Sequence, residues 1–132
     1  MAKEKKYPCK NAYSKIYEQL LGGEWWAEWP FHPERKWRFD YALPELQIAI
    51  EVDGGVFTGG RHSGGIGQVK DFEKMNEALV LGWRIFHFIP DEQFSRKSLE
   101  MVEKLIKFVR ENDRNLSHNQ PVEREEVCRP KR

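Results

Sequence analysis

Apolar residues recur at helical spacing from about Cys9 to Leu21, where Ala12, Tyr13, Ile16, Tyr17, Leu20 and Leu21 form the repeat. Gly22-Gly23 follow, and glycine adopts the left-handed helix-terminating conformation at little cost, so the helix ends there. Glu24 to Trp29 (EWWAEW) alternates and is rich in tryptophan, which predicts a strand; Pro30 and Pro33 interrupt it. Trp37 to Leu43 and Gln47 to Asp53 alternate again on either side of Pro44-Glu45, the pattern of a β-hairpin. From Gln68 to Leu81 the spacing predicts a second helix with Val69, Phe72, Met75 and Leu79 as its buried stripe and Lys70, Lys74 and Glu77 on another face. Trp83 to Ile89 is almost continuously apolar, as expected for a strand covered on both faces. After Pro90, Ser95 caps a third helix whose stripe is Leu99, Val102, Leu105, Ile106 and Val109, running to about Asn112.

The order is helix, three strands, helix, strand, helix. Short turns between the first three strands give an antiparallel meander. The helix before the fourth strand makes a crossover, normally right-handed, that places a parallel strand in the same sheet. The expectation is an α/β protein with a mixed sheet and helices on both faces. Residues 1–112 form a single domain, and the polar, aperiodic stretch 113–132 is expected to be a disordered tail with a basic end.

The hairpin carries the chemistry. With Glu45-Leu46 as its turn, Ala42 faces Ala49, Asp40 faces Glu51 and Arg38 faces Asp53. Opposed residues of an antiparallel pair have Cβ atoms about 5 Å apart, so two carboxylates there repel. Two readings fit. The face is solvated, with Arg38 diluting the charge, or a divalent cation sits between the acids, since hard ions take oxygen ligands. Ile48, Ile50 and Val52 point the other way, toward a helix; Ala42 and Ala49 leave an open floor beside the acids.

Two neighbouring segments bear on that choice. Residues 32–38 (HPERKWR) interleave Arg35, Lys36 and Arg38 with His32 and Trp37, which suits either a phosphate-binding patch with stacking aromatics or an ordinary exposed corner. Residues 54–67 (GGVFTGGRHSGGIG) hold seven glycines and match no Walker or dinucleotide-binding fingerprint. Arg61 and His62 are the ionisable groups of this loop, available to a phosphate or, for His62, to a proton; an exposed loop is the alternative.

Composition narrows the class without fixing the function. At 132 residues, 39% hydrophobic and 13% aromatic, the chain is globular. Its 22 basic and 21 acidic residues leave a net charge of +1, so any nucleic-acid surface is local. Two cysteines, Cys9 and Cys128, form no CxxC pair and fit a reducing compartment better than a disulfide framework or a structural zinc site. No apolar run reaches the roughly 20 residues that span a bilayer, and the start of the chain has no signal-peptide pattern. The expectation is a soluble intracellular protein with no membrane partner. The tryptophans at 25–29 leave a homodimer interface open as an alternative to core.

An aspartate, a ten-residue gap and Glu-x-Asp on the next strand, in an αβββαβ order, resemble the PD-(D/E)xK nuclease superfamily. More narrowly, WRFDYALPELQIAIEVDGG, then GRHSGG, then KDFEKMNEALVLGWRIFHF resemble small nucleases of phages, prophages and bacteria. The similarity covers roughly residues 25–90. It implies a restriction-endonuclease-like core with an extra C-terminal helix, in a bacterial or phage-infected cytoplasm. Asp40, Glu51 and the backbone carbonyl of Val52 would hold Mg²⁺ or Mn²⁺, with Glu18 as an outer ligand. The third position, usually lysine, is Asp53, a departure; the resemblance offers Lys74 as a lysine that has moved to the following helix, with Lys70 second. Asp53 would then ligate the metal itself, or hold Arg38 or the migrated lysine. His62 or Arg61 would meet the scissile or a neighbouring phosphate, and Arg35, Lys36, Arg38 and Lys70 would hold DNA. The implied activity is endonucleolytic hydrolysis of DNA with little sequence preference. A non-catalytic DNA-binding or assembly module on the same fold, and an RNA-cleaving enzyme, are the rivals.

Overall fold

The computed structural model describes residues 7–54 and 66–119. Helix α1 spans Ala12–Leu21 and is capped by Asn11, whose side chain accepts the Ser14 amide while Ser14 reciprocates to the Asn11 amide. Gly22, at φ 82°, ends it as expected. Strands β1 (Trp26–Pro30), β2 (Arg38–Leu43) and β3 (Ile48–Val52) follow, then helix α2 (Ile66–Val80), strand β4 (Arg84–Phe88) and helix α3 (Arg96–Asn119). They build one four-stranded sheet in the order β1-β2-β3-β4, antiparallel except for the parallel β3–β4 pair. This is the mixed α/β architecture anticipated. Helix α3 continues seven residues past the expected end at Asn112, into the stretch expected to be disordered; residues 120–132 lie outside the described part.

Two apolar clusters flank the sheet. On one face Tyr41, Leu43, Ile48 and Ile50 pack under α1 and α3, with Tyr17 and Trp25 fully buried and their rings stacked at 5.2 Å. Val102, Ile106 and Val109 supply the inward stripe of α3. Trp25 is therefore core, and Trp26 and Trp29 are half-buried, their rings 6.2 Å apart. On the other face lie Ala42, Ala49, Phe39 and Trp83 with Ala78 of α2.

Helix α2 is rotated from the expected orientation. Phe72 is 58% and Leu79 70% exposed, while Ala78 is fully buried and Lys74 and Glu77 are half-buried. The floor beneath it explains this. Ala42 and Ala49 leave room for a small side chain at close range, and the acids beside them attract Lys74, so positions 74, 77 and 78 turn inward while Phe72 and Leu79 turn out. Strand β4 is an edge strand, with Arg84 and His87 exposed. Its apolar residues pack on both faces, as expected: Phe86 and Phe88 on the α1–α3 side and Ile85 on the α2 side.

Candidate active site

The hairpin register is the expected one through Leu43–Ile48, Ala42–Ala49 and Tyr41–Ile50. Past that point β2 and β3 stop pairing as backbone. The Val52 amide, which in a continued ladder would bond to β2 backbone, donates instead to Asp40 Oδ2 at 2.7 Å. A carboxylate thus replaces a carbonyl at the ladder's end. The same level of the sheet is distorted on β1: Glu28, opposite Asp40 by register, sits at φ 55° in the left-handed region. Alternation on β2 breaks here too, since Phe39 joins the Ala42 cluster while Tyr41 joins the other.

Because the ladder opens, Arg38 does not meet Asp53. Its Nε donates to Glu28 Oε1 at 3.1 Å, and its guanidinium lies 4.0 Å from the Tyr7 ring centroid. Asp53 remains at the end of β3, its amide bonded to the Phe88 carbonyl at 2.8 Å.

Glu51 points toward α2. Lys74 Nζ stands 3.3 Å from each of its carboxylate oxygens, and both side chains are largely buried, 17% and 15% exposed. Burial pushes the Glu51 carboxyl up to about 7; the Lys74 ammonium opposes that and the Asp40 charge adds to it. Burial also raises Asp40, against the Val52 amide and Lys74, which pull it down, with Glu28 and Asp53 adding to the rise. Two desolvated acids in mutual repulsion, one already gripped by an ammonium, form a site that favours a cation. Lys74 is the stand-in. Among the described residues, no three His, Cys, Asp or Glu side chains converge on one point; the groups that could offer oxygens to an ion here are the two carboxylates and the Val52 carbonyl, which shares its strand edge with the Val52 amide.

A cavity of about 140 Å³ adjoins this pair. Glu51, Val52 and Asp53 line it from β3, Asp71, Lys74 and Met75 from α2, and His87 from β4.

Glu18 is held elsewhere: it pairs with Lys10 and accepts the Trp25 amide at 3.0 Å. Trp25 precedes Trp26, which faces Ala42, so this carboxylate is tied near the far end of β2 from Asp40. Arg35 and Lys36 lie in the exposed segment between β1 and β2. Arg35 bonds Glu73 of α2 at 3.0 Å and covers the Trp37 ring at 3.9 Å. His32 accepts the Glu34 and Arg35 amides at Nδ1, so Nε2 carries the hydrogen that reaches Glu77 Oε1 at 3.0 Å. Arg61 and His62 lie outside the described residues, and Lys70 falls on α2 one turn before Lys74.

Sequence reasoning missed His87, Asp71 and Glu28. His87 was hidden in an apolar run, yet its parity opposite Phe86 and Phe88 marks it as outward-facing. Asp71 stands three residues before Lys74 and could have been picked out with it. Glu28 had no visible signal, because its place follows from strand register.

The raised acids set a pH dependence. The ordinary value for Glu51 is 4.5 and the folded value about 7. Between them the folded chain binds the proton more tightly than the unfolded chain, so stability falls as pH rises through this window; Asp40 shifts in the same direction. Without divalent ions, Glu51→Gln is expected to flatten this fall by on the order of 1–3 kcal/mol between pH 5 and pH 8. Urea denaturation at the two pH values checks it; parallel behaviour of the two proteins would contradict it.

No known family, no curated protein and no solved structure matches this chain. Among the described residues no helix is long and apolar enough to cross a membrane.

Proposed function

We infer that this protein is a metal-dependent nuclease that hydrolyses DNA phosphodiester bonds, on a core of the restriction-endonuclease-like kind. The supporting observation is Lys74. The usual lysine position is Asp53, yet an ammonium from α2 stands on Glu51 beside Asp40. A module that had merely lost the lysine would have no reason to bury a second one against the same carboxylate.

Asp40, Glu51 and the Val52 carbonyl would hold Mg²⁺ or Mn²⁺. When bound, such an ion supplies Lewis acidity toward water and phosphoryl oxygens. The chain's own groups do the rest. The Val52 amide fixes one oxygen of Asp40 and leaves the other available. Lys74, long enough to leave Glu51 for a neighbouring oxygen, orients the attacking water and offsets charge gathering on the phosphate. The cavity between β3, β4 and α2 admits the scissile group.

DNA approaches a surface whose cations are partly engaged. Arg35 is paired with Glu73, and both are nearly half exposed, so this pair is weak and a phosphate can displace it. Lys36 is exposed. Glu73→Ala is therefore expected to tighten DNA binding and to steepen its salt dependence by up to about one phosphate contact, read by fluorescence anisotropy over a salt series. Unchanged affinity would remove Arg35 from the interface.

The activity is tested by incubating the protein with supercoiled plasmid and Mg²⁺ or Mn²⁺, with EDTA as the control. Nicking that EDTA abolishes supports the nuclease. Salt-sensitive DNA binding with no cleavage in either metal would select the non-catalytic module.

A further inference from the structure

His87 stands where the site needs a hydrogen-bond donor. Its strand position is opposite Glu51 in the parallel β3–β4 register, and paired strands lie about 4.8 Å apart. Phe86 and Phe88 on either side stack on each other at 5.6 Å and face the α1–α3 core, which turns His87 to the α2 face. There it lines the cavity shared with Glu51 and Lys74. It is exposed and has no hydrogen-bond or ion-pair partner among the described residues.

Lys74, assigned above to the attacking water and the phosphate charge, is paired with Glu51 in this structure. Glu51, Asp53 and Asp71 present carboxylates, which repel a phosphodiester. Val52 and Met75 offer no charged or polar side chain. His87 thus contributes the one uncommitted side-chain N–H among the described lining residues.

We propose that His87 is a phosphate-contacting residue, donating an N–H from the β4 side to an oxygen of the phosphodiester that enters this cavity. The proposal rests on the nuclease reading for its substrate class, but the contact itself is a binding event that needs no cleavage.

Two measurements test it. In the first, ¹⁵N-histidine spectra of the full chain are followed as a short DNA duplex is added with Ca²⁺, and the His87 imidazole signals are assigned with His87→Gln. The His87 signals are expected to shift with saturation; signals that stay fixed while DNA binds, or a chain that binds no DNA, would overturn the contact. In the second, plasmid nicking is compared for His87→Ala and His87→Gln. Loss of a hydrogen bond to a charged group is expected to slow cleavage by about tenfold or more, and glutamine, which keeps an N–H donor in the same region, to restore most of the rate. Alanine cutting at the wild-type rate would also overturn it. Moving His87 signals in a wild-type protein that cuts nothing would sink the nuclease and keep the phosphate contact; cleavage with unmoved signals would do the reverse.

Discussion

Nicking of plasmid in Mg²⁺ or Mn²⁺ is expected to fall to background when Asp40 is replaced by alanine. On the proposed mechanism the carboxylate has two duties, and alanine removes both. One would be charge for an ion. The other is structural: Asp40 Oδ2 is the acceptor for the Val52 amide at 2.7 Å. A part-buried amide left without an acceptor costs up to about 1–3 kcal/mol, so the alanine variant should also be less stable in urea. Asparagine separates the duties. Its amide oxygen can still accept from Val52 while its charge is gone, so Asp40→Asn should keep near-normal stability and remain inactive. An asparagine variant that nicks like the wild type would remove Asp40 from the chemistry.

The second large effect belongs to Lys74. Positioned proton-transfer and charge-stabilising groups contribute typically 10²- to 10⁴-fold, and Lys74→Met is expected to reduce kcat within about that range. A second signature distinguishes its role from mere packing. Lys74 holds the Glu51 carboxyl down against burial, so its loss lets that carboxyl rise further, and the residual activity should need a higher pH. Lys74→Arg keeps the charge but not the compact geometry, and should restore the pH profile more fully than the rate. A methionine variant with the wild-type rate and profile would return the site to the binding-module reading.

The strand order, the hairpin register from Tyr41–Ile50 to Leu43–Ile48 and the placement of Asp40 and Glu51 on neighbouring strands were legible because alternation and a proline-marked turn are local signals. The turn near Pro44 fixes which residues oppose, and the pairs Ala42–Ala49 and Tyr41–Ile50 follow. What could not be read was where the ladder stops. Asp40 bonding to Val52, Arg38 turning to Glu28 and the left-handed backbone at Glu28 depend on three strands meeting at one level. Helix α2 was misjudged for a related reason. Periodicity finds an apolar stripe, Val69, Phe72, Met75 and Leu79, but the surface below decides which stripe faces in. An alanine floor beside two acids selected Ala78 and Lys74. The same blindness hid His87, whose apolar neighbours on β4 belong to the opposite face. Glu18 sits on the helix where the resemblance placed it, but Lys10, outside the matching stretch, claims its carboxylate.

His32 and Arg35 grip Glu77 and Glu73, one turn apart on α2, and Lys74 rides between those anchor points. The segment joining β1 to β2 and the lysine-bearing helix are consequently geared together. Breaking the Arg35–Glu73 pair would leave the His32–Glu77 contact as the remaining side-chain tie of the two between that segment and the rod carrying the lysine.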